Sequence, residues 1–501
     1  MLTSIAAAWL LASGADSVLL RVLTINDFHG ALESRTYPGS KGRPVGGIAA
    51  LKGMMDSLAA DCRCPTLRLD AGDEMQGTLA SNLVYGRSSV EALSLLGLSA
   101  AAVGNHDLDW GPDTLAARMK EASYPWLAAN IIDSITGLPP AWARAMAVVS
   151  AGPWRIGVVG YLTPLTKTIV MDRQVRGLLF PGGRAALAAA LDAAHAARPD
   201  LVMIVAHEGA YCDSTACAGE IVKLSRQLDS GQVDLIVAGH THTLINTTDR
   251  QVPIVSARAN GSDVGVADLM LRPDGTRHWQ VRVVTVYADA VRPDSAAAAL
   301  VDRYRPLVDR LARRVIFRLG DTLMSRGRGE NTLGNLIADA QRHAAPADFA
   351  LMNNGGIRRA LLPGPVTYGD LFELHPFGNV VVRVELTGAE LKPVLEHALN
   401  GSAPDAHLSG LIVRYDMSRP EGDRVVEMRS GNGRRIDPRR HYRLALSDFL
   451  AGGGGGYAML RGQTQFPSGK TDLESMIAWV RRLPSPVRGP KNPRWIPVPS
   501  P

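Results

Sequence analysis

The sequence predicts an α/β protein in which a layered N-terminal domain is joined by a helix to a second domain. The chain has 501 residues, enough for two large or three ordinary domains. Its 46% apolar and 20% charged residues are typical of a globular protein with a sizeable core. Between residues 18 and 290, short β-branched runs alternate with helical stretches, which is the pattern of buried strands in a layered α/β core.

The first 15 residues are predicted to be a signal peptide. Residues 5–12 form a short apolar run, and small residues at 13–15 resemble a cleavage site, although the usual basic start is missing. No later run approaches the ~18 apolar residues of a membrane span, so none is expected. We therefore expect a periplasmic or secreted protein.

The four cysteines fall into two local pairs, which fits an oxidising compartment. Cys212 and Cys217 are spaced to close a small loop. Cys62 and Cys64 are separated by one residue, which is tight for a bridge, so this pair is expected to be unpaired or bonded elsewhere. Buried free thiols are the alternative for all four.

The charge balance does not predict a nucleic-acid partner. Lys and Arg number 54 and Asp and Glu 48, so the net charge is +6. This surplus suits attraction of small anions equally well. The only other feature of this kind is the short basic stretch at 326–329. We expect a small-molecule partner and no nucleic acid, and the sequence does not determine the oligomeric state.

Five predicted strands end directly before a polar motif. Polar residues just past the carboxyl ends of strands are where layered α/β folds place their sites. The strands and the motifs that follow them are 18–25 with Asn26-Asp27-Phe28-His29, 66–69 with Asp70-Ala71-Gly72-Asp73, 100–103 with Gly104-Asn105-His106-Asp107, 201–206 with His207-Glu208-Gly209, and 235–238 with Gly239-His240-Thr241-His242.

These motifs contain seven candidate metal ligands. Each motif alone is more often a hydrogen-bonded polar group, but all five together predict metal binding. One ion takes three or four protein ligands, so seven ligands and a spare His predict two divalent ions that share one carboxylate. Mixed oxygen and nitrogen donors suit Zn²⁺, Mn²⁺ and Fe alike. The candidates are Asp27, His29, Asp73, Asn105, His207, His240 and His242.

The N-terminal domain is expected to cover residues 18–290, followed by a linker helix at 292–318. The second domain is expected at 319–482, with a helix near 333–341 and a capping box that begins at Thr387. A Pro-rich, extended tail covers 483–501. The linker helix is predicted from Ser295 as its N-cap and from an apolar repeat at Leu300, Tyr304, Leu307 and Leu311.

The pattern DxH…GD…GNHD…H…GHTH resembles that of the calcineurin-like metallophosphoesterases. Further along, the chain is similar to the C-terminal domain of the 5′-nucleotidase / UDP-sugar hydrolase family, and the resemblance covers about residues 20–480. It implies a four-layer α/β/β/α sandwich followed by an α+β nucleotide-recognition domain. The motifs of the second domain are Asn353-Asn354-Gly355-Gly356-Ile357-Arg358, His375-Pro376-Phe377-Gly378-Asn379 and Phe449-Leu450-Ala451-Gly452-Gly453.

The resemblance also implies roles for the site residues. One metal would take Asp27, His29, Asp73 and His242, and the other Asp73, Asn105, His207 and His240. His106 matches a non-ligand histidine beside the scissile phosphate, and Asp109 matches the carboxylate that orients it. Asp107 is the weaker candidate for that partner. The implied reaction is release of phosphate from 5′-nucleotides by a hydroxide that bridges the metals.

The second domain would bind the nucleoside. Asn353 and Arg358 match nucleotide contacts, and Phe377 and Phe449 match two aromatics that clamp the base. Ordinary core packing is the alternative for each Phe. Arg328 lies near the position of a phosphate-contacting arginine, although its spacing differs from the family pattern.

One departure from the family concerns the ribose. The family usually reads AxGGDGF or AxGGDGY after the second aromatic, and its Asp holds the ribose hydroxyls. This chain has Gly455 at that position, in a run of five glycines. A site that lacks a polar partner loses discrimination, so nucleoside specificity is expected to weaken and the loop to be mobile.

Other functions remain open. A relative could act on 2′,3′-cyclic nucleotides, nucleotide-sugars or a sulfur-linked substrate. A non-catalytic nucleoside-binding protein is a further alternative, but it would have no reason to keep His106 beside seven ligands.

Overall fold

The computed structural model describes residues 17–37, 39–272, 274–324 and 329–498. The predicted signal peptide and Arg328 lie outside these residues.

The first part of the chain forms two six-stranded sheets. One has the strand order β16-β15-β1-β2-β3-β4 and the other β13-β14-β12-β9-β7-β6, and β5 pairs with β8 and β10 with β11 in two short two-stranded sheets. The strands are β1 (Ser17–Ile25), β2 (Thr66–Asp70), β3 (Ala100–Ala102), β4 (Trp126–Leu127), β5 (Ile132–Asp133), β6 (Met146–Ala151), β7 (Trp154–Leu162), β8 (Leu178–Leu179), β9 (Leu201–His207), β10 (Tyr211–Cys212), β11 (Cys217–Ala218), β12 (Leu235–Ala238), β13 (Leu244–Asp249), β14 (Val252–Ala257), β15 (Asp263–Leu271) and β16 (Arg277–Thr285).

The two sheets pack face to face, and helices cover both outer faces. Leu67 and Leu69 of one sheet share a buried core with Val205 and Val237 of the other. A second core lies between the first sheet and α1, α3, α4 and α8, and a third between the second sheet and α6 and α7. The helices are α1 (Ile48–Cys62), α2 (Leu79–Asn82), α3 (Arg87–Leu95), α4 (Pro112–Glu121), α5 (Thr166–Ile169), α6 (Arg184–Ala196), α7 (Glu220–Gln227) and α8 (Ser295–Ala312). The predicted four-layer α/β/β/α arrangement is confirmed.

The helix α8 differs in detail from its prediction. Its N-cap is Asp294, whose side chain accepts the N–H of Ala297, rather than Ser295. Leu300 and Tyr304 are buried, but Leu307 and Leu311 are exposed. The apolar repeat therefore continues past the part of the helix that packs against the first domain.

The second part of the chain is α+β, as the resemblance implied. A five-stranded sheet with the order β21-β18-β24-β20-β25 has a core on each face, and a three-stranded sheet with the order β23-β22-β26 and a two-stranded sheet of β17 and β19 complete it. The elements are β17 (Val315–Leu319), α9 (Thr332–Ala344), β18 (Phe349–Asn353), β19 (Gly364–Thr367), α10 (Tyr368–Leu374), β20 (Val380–Thr387), α11 (Gly388–His397), β21 (Ala406–Ser409), β22 (Leu411–Tyr415), β23 (Val425–Ser430), β24 (His441–Ser447), α12 (Asp448–Ala451), β25 (Phe466–Thr471), α13 (Asp472–Val480) and β26 (Trp495–Pro497).

Two further features agree with the sequence prediction. The predicted capping box is present, because Thr387 and Glu390 bond reciprocally at the start of α11. Within the Pro-rich stretch, β26 pairs in parallel with β22.

Both cysteine pairs are disulfide-bonded, and the expectation for Cys62 and Cys64 is wrong. Cys62 ends α1, and Arg63 then adopts a left-handed conformation with φ 52°. This reversal brings the two Cα atoms to 5.1 Å, within the usual range for a disulfide. Two disulfides are typical of a protein from an oxidising compartment rather than the cytoplasm. Among the residues that the structure describes, no helix is both long and apolar enough to cross a membrane.

Candidate metal centre and active site

The candidate ligands meet where the parallel strands of both sheets end. In the first sheet β1, β2 and β3 run parallel, and in the second β9 and β12 do so. Parallel strands present their carboxyl ends at one edge, and the face-to-face packing brings the two edges together. The structure therefore collects the polar residues of all five strand exits in one place.

The first group of ligands is compact and largely buried. One ligand atom from each of Asp27, His29, Asp73 and His242 lies within 4.8 Å of every other. His29 Nε2 is 3.0 Å from His242 Nε2, and His242 Nε2 is 3.1 Å from Asp27 Oδ1. His29 Nε2 is 3.6 Å from Asp73 Oδ2. These separations suit a single cation among the four side chains.

A second group lies on the other side of Asp73. His207 Nε2 is 3.1 Å from Asp73 Oδ2 and 3.1 Å from Asn105 Oδ1. The His240 ring meets the His207 ring edge to face, with centroids 5.1 Å apart. Asp73 thus contacts a histidine of each group.

The hydrogen bonds of the histidines show that these residues fit a cation. His29 Nδ1 donates to the Gln76 carbonyl at 2.6 Å, and His207 Nδ1 donates to the Ala71 carbonyl at 2.8 Å. In the neutral rings both Nε2 atoms therefore present a lone pair to the carboxylate of Asp73. Acceptors at such distances repel one another unless a proton or a cation lies between them.

Burial and the charge of Asp73 shift the pKa values of the histidines in this cluster. Burial lowers the pKa of His29 well below its usual value and lowers the pKa of His240 to about 3, so both rings are neutral and able to ligate. Burial also acts on His207, but the charge of Asp73 outweighs it and raises the pKa of His207 to about 10. The space beside Asp73 therefore attracts positive charge, which a bound cation would supply in place of the proton.

Five of the seven candidate ligands have strained backbones. A left-handed conformation is uncommon for a residue other than glycine, and such strain concentrates at functional sites. Here the strained residues are ones whose side chains meet at the strand exits. The residues and their φ angles are Asp27 at 51°, His29 at 51°, Asp73 at 60°, His240 at 71° and His242 at 53°.

His106 lies beside this centre with the expected partner in reach. Its Nδ1 is 2.8 Å from Asp109 Oδ2, and its backbone N–H donates to Asp73 Oδ1 at 2.8 Å. The short 3₁₀ turn His106–Leu108 brings residues three apart onto one side. Asp107, the weaker candidate, is fully buried, and its carboxylate accepts backbone N–H groups.

Sequence reasoning missed the structural role of Asp107. Its buried carboxylate accepts four backbone N–H groups. They come from the loop that carries Asp73 and from the loop that carries Asn105 and His106. The donors are Asp73 at 3.1 Å, Glu74 at 3.0 Å, Met75 at 3.1 Å and Gly104 at 2.8 Å. Asp107 therefore joins the two ligand loops, which its position in the chain did not reveal.

Two residues of the second domain reach the metal centre. The Phe377 ring stacks on His106 with centroids 5.3 Å apart. Arg358 Nη2 lies 3.3 Å from His242 Nε2 and 3.5 Å from His29 Nε2, and its guanidinium lies 5.7 Å from the Phe377 ring. An arginine and an aromatic ring of the second domain thus lie directly beside the buried His/Asp cluster.

The other predicted substrate residues lie further along the second domain. Asn353 ends β18, next to the turn of Gly355 and Gly356. Phe449 is half-buried in α12, and the glycine run passes over its ring: a Cβ at Gly454 would lie only 2.3 Å from it. The Gly455 carbonyl is 2.8 Å from His397 Nε2, so the loop is tied to α11.

Comparisons with known proteins agree with this site. Residues 315–462 match the family model described as 5′-nucleotidase, C-terminal domain. The chain is 28% identical to the endonuclease YhcR of Bacillus subtilis over 96% of its own length, and it spans 41% of that relative. It is 27% identical to the snake venom 5′-nucleotidase of Gloydius brevicauda, with 96% of this chain and 90% of that one covered. The crystal structure of a 5′-nucleotidase precursor from Thermus thermophilus superposes with a TM-score of 0.86 at 28% identity, covering 96% of this chain and 100% of that one.

The sandwich, the buried His/Asp cluster and the second, α+β part of the chain together define a metallophosphoesterase of the hydrolase class. The chain is similar to 5′-nucleotidases over nearly its whole length and is a 5′-nucleotidase-like phosphoesterase.

Proposed function

We propose that this chain releases orthophosphate from 5′-nucleotides at a centre of two divalent cations, outside the cytoplasm. The observation that carries the proposal is the meeting of the two domains: Phe377 stacks on His106, and Arg358 reaches the ligands His29 and His242. Phosphate chemistry and recognition of an aromatic base then share one cleft. The two disulfides, together with the apolar start of the sequence, support a periplasmic or secreted enzyme.

Asp73 is the residue that both ions would share. Asp27, His29 and His242 complete one ligand set, and Asn105, His207 and His240 complete the other. When bound, two divalent cations supply a hydroxide near neutral pH and neutralise charge on phosphoryl oxygens. The donor set suits Zn²⁺, Mn²⁺ or Fe.

The remaining polar residues would act on the phosphate directly. Asp109 accepts the Nδ1–H of His106 and so fixes its ring, and a proton on Nε2 would then stabilise a phosphoryl oxygen as charge develops. Arg358 brings a permanent positive charge to the same place. Phe377 and Phe449 would hold the base, because stacking on an aromatic ring is worth ~1–3 kcal/mol per base.

The test is a substrate panel on the full chain loaded with Mn²⁺, with phosphate release measured from AMP and an aryl phosphate, and UMP formation measured from UDP-glucose. We expect AMP to have the highest kcat/KM and a chelator to abolish all activity. Phe377→Leu should reduce kcat/KM for AMP about tenfold or more, with a much smaller effect on the aryl phosphate.

A matched control is available in the same domain. Phe466 is half-exposed on the edge strand β25 and packs on Arg383, so Phe466→Leu should leave both rates unchanged. Equal kcat/KM for AMP and the aryl phosphate, or equal losses in both Phe variants, would contradict the proposal.

A second candidate function is hydrolysis of a diester or pyrophosphate of a nucleotide. A cavity of 530 Å³ opens beside His29 and His242, between the two domains, and Phe377, Phe449 and His106 do not line it. A phosphomonoester has no second substituent to fill such a space, whereas a diester or nucleotide-sugar has one. Arg35 and Arg359 in its wall pair with Glu373, and Arg258 pairs with Asp263. The positive charge that the wall offers an anionic group therefore comes from Arg358. Higher kcat/KM for UDP-glucose or a bis-aryl phosphate than for AMP would favour this candidate.

A further inference from the structure

The glycine run places no carboxylate over the Phe449 ring, but the structure has one close by. Gly455 stands where the family has its Asp, and its carbonyl accepts a hydrogen bond from His397 Nε2 at 2.8 Å. His397 ends α11, and its ring also packs edge to face on Tyr457, with centroids 4.5 Å apart. The chain that follows α11 therefore runs beside the glycine run.

That chain carries Asp405. Its backbone N–H donates to the Ala398 carbonyl at 2.7 Å, directly after α11. Burial and the nearby charge of Asp405 raise the pKa of the Tyr457 hydroxyl, so the Asp405 carboxylate lies close to that side chain. Asp405 therefore lies next to the residues that hold the Gly455 loop in place.

Asp405 also contacts the loop that carries the candidate nucleotide residue Asn353. Asn354 Nδ2 donates to Asp405 Oδ1 at 2.8 Å, and the Asn354 N–H donates to the Asp405 carbonyl at 3.2 Å. Asn354 is itself fixed, since its Oδ1 lies 2.6 Å from Nε2 of the buried His407. The position of the Asp405 carboxylate is thereby set by a well-packed network.

Asp405 is nevertheless an exposed residue, although partial burial raises the pKa of its carboxylate. An ionised carboxylate accepts about four hydrogen bonds, so one bond from Asn354 leaves it able to accept two more. A vicinal diol offers two donors at the spacing of the two carboxylate oxygens, which is why such a pair binds well. A fixed carboxylate that contacts the loop of Asn353 and follows the helix that holds Gly455 has the right chemistry for a sugar.

We propose that Asp405 binds the ribose hydroxyls of the substrate in place of the carboxylate that is missing at Gly455. This inference rests on the proposed function, because it assigns the sugar contact of the same site. It reverses the expectation from the sequence that selection for ribose is weakened, since a carboxylate from another part of the fold takes the place of the missing one.

The test compares AMP, 2′-deoxy-AMP and an aryl phosphate with the full, metal-loaded chain. The wild type should prefer AMP over 2′-deoxy-AMP by about tenfold, the value of a charged hydrogen bond. Asp405→Asn keeps an oxygen for Asn354 but removes the charge, and it should bring the ratio of the two kcat/KM values to near one. Asp423, an exposed carboxylate of the same domain that pairs with Arg419, provides the control: Asp423→Asn should leave the ratio unchanged.

A rescue experiment separates binding of the sugar from a structural effect. Gly455 has φ 63°, which Asp tolerates better than most residues, and a Cβ there would meet its neighbours at 3.5–3.8 Å, an ordinary contact. Adding Gly455→Asp to Asp405→Asn should therefore restore at least part of the preference for AMP. A merely misfolded Asp405→Asn chain would not recover.

The outcomes separate the ribose contact of Asp405 from the proposed function. If AMP is hydrolysed with a ratio near one in the wild type, or with a ratio unchanged in Asp405→Asn, the inference is overturned and the proposed function stands. A wild-type chain that hydrolyses the aryl phosphate but no nucleotide would overturn the proposed function, and the inference with it.

Discussion

Replacing Asp107 by Asn tests whether one buried carboxylate holds the metal centre together. Each oxygen of Asp107 accepts two backbone N–H groups: Oδ1 from Glu74 and Met75, and Oδ2 from Asp73 and Gly104. Asn keeps the shape of the side chain but replaces one oxygen by an NH₂ group. Two buried backbone N–H groups would then face the NH₂ group of Asn, which is itself a hydrogen-bond donor.

The expected loss of stability follows from these two unpaired N–H groups. A buried polar group left without a partner costs about 1–3 kcal/mol, so two such groups predict a loss of roughly 2–6 kcal/mol in the free energy of unfolding. This is a large part of the about 5–15 kcal/mol that stabilises a typical domain. Because Asp73 and Asn105 lie on the joined loops, metal affinity should also fall, by about 10–100-fold, as for other residues that support ligands.

The assay is urea unfolding of the metal-free chain together with titration of Mn²⁺ into the folded chain. Asp113→Asn, at an exposed position in the first turn of α4, is the matched control and should change neither value. A loss below about 1 kcal/mol with wild-type metal affinity would refute the role assigned to Asp107.

Three further predictions concern the centre and the second domain. Asp73→Ala should abolish hydrolysis and lower the bound metal measured by elemental analysis, because both ligand groups lose a member; full metal content would contradict a shared ligand. His106→Ala should keep its metal but lose most turnover, by about 10²–10⁴-fold for a group that stabilises or transfers charge, and a metal-free variant would show that His106 is a ligand instead. Burial raises the pKa of Asp472 to about 7, although Gln341 Nε2 donates to it at 2.8 Å. Because the pKa of Asp472 is higher in the folded chain than in the unfolded chain, the folded chain binds the proton more tightly. The free energy of unfolding is therefore highest below about pH 4 and falls by at most about 4 kcal/mol as the pH rises to about 7. Unfolding measured from pH 4 to pH 8 should therefore depend less on pH in Asp472→Asn, and an unchanged slope would show that Asp472 is already ionised in the folded chain.

The sequence by itself determined the chemistry of the candidate centre. Asp27, Asp73, His207 and His242 each follow an apolar strand, and the period and polarity of such a run are local properties that a sequence records directly. The capping box at Thr387 is equally local, because its two hydrogen bonds join residues three apart.

Only the tertiary structure decided which distant groups meet. The sequence does not reveal that Asp107 accepts N–H groups from about 30 residues away, since backbone donors leave no mark on residue type. The same holds for Phe377 on His106 and for Asp405 beside Asn354, because contacts across domains and loops depend on packing geometry. The bridge between Cys62 and Cys64 likewise depended on the left-handed turn at Arg63, a backbone conformation that residue type alone did not specify.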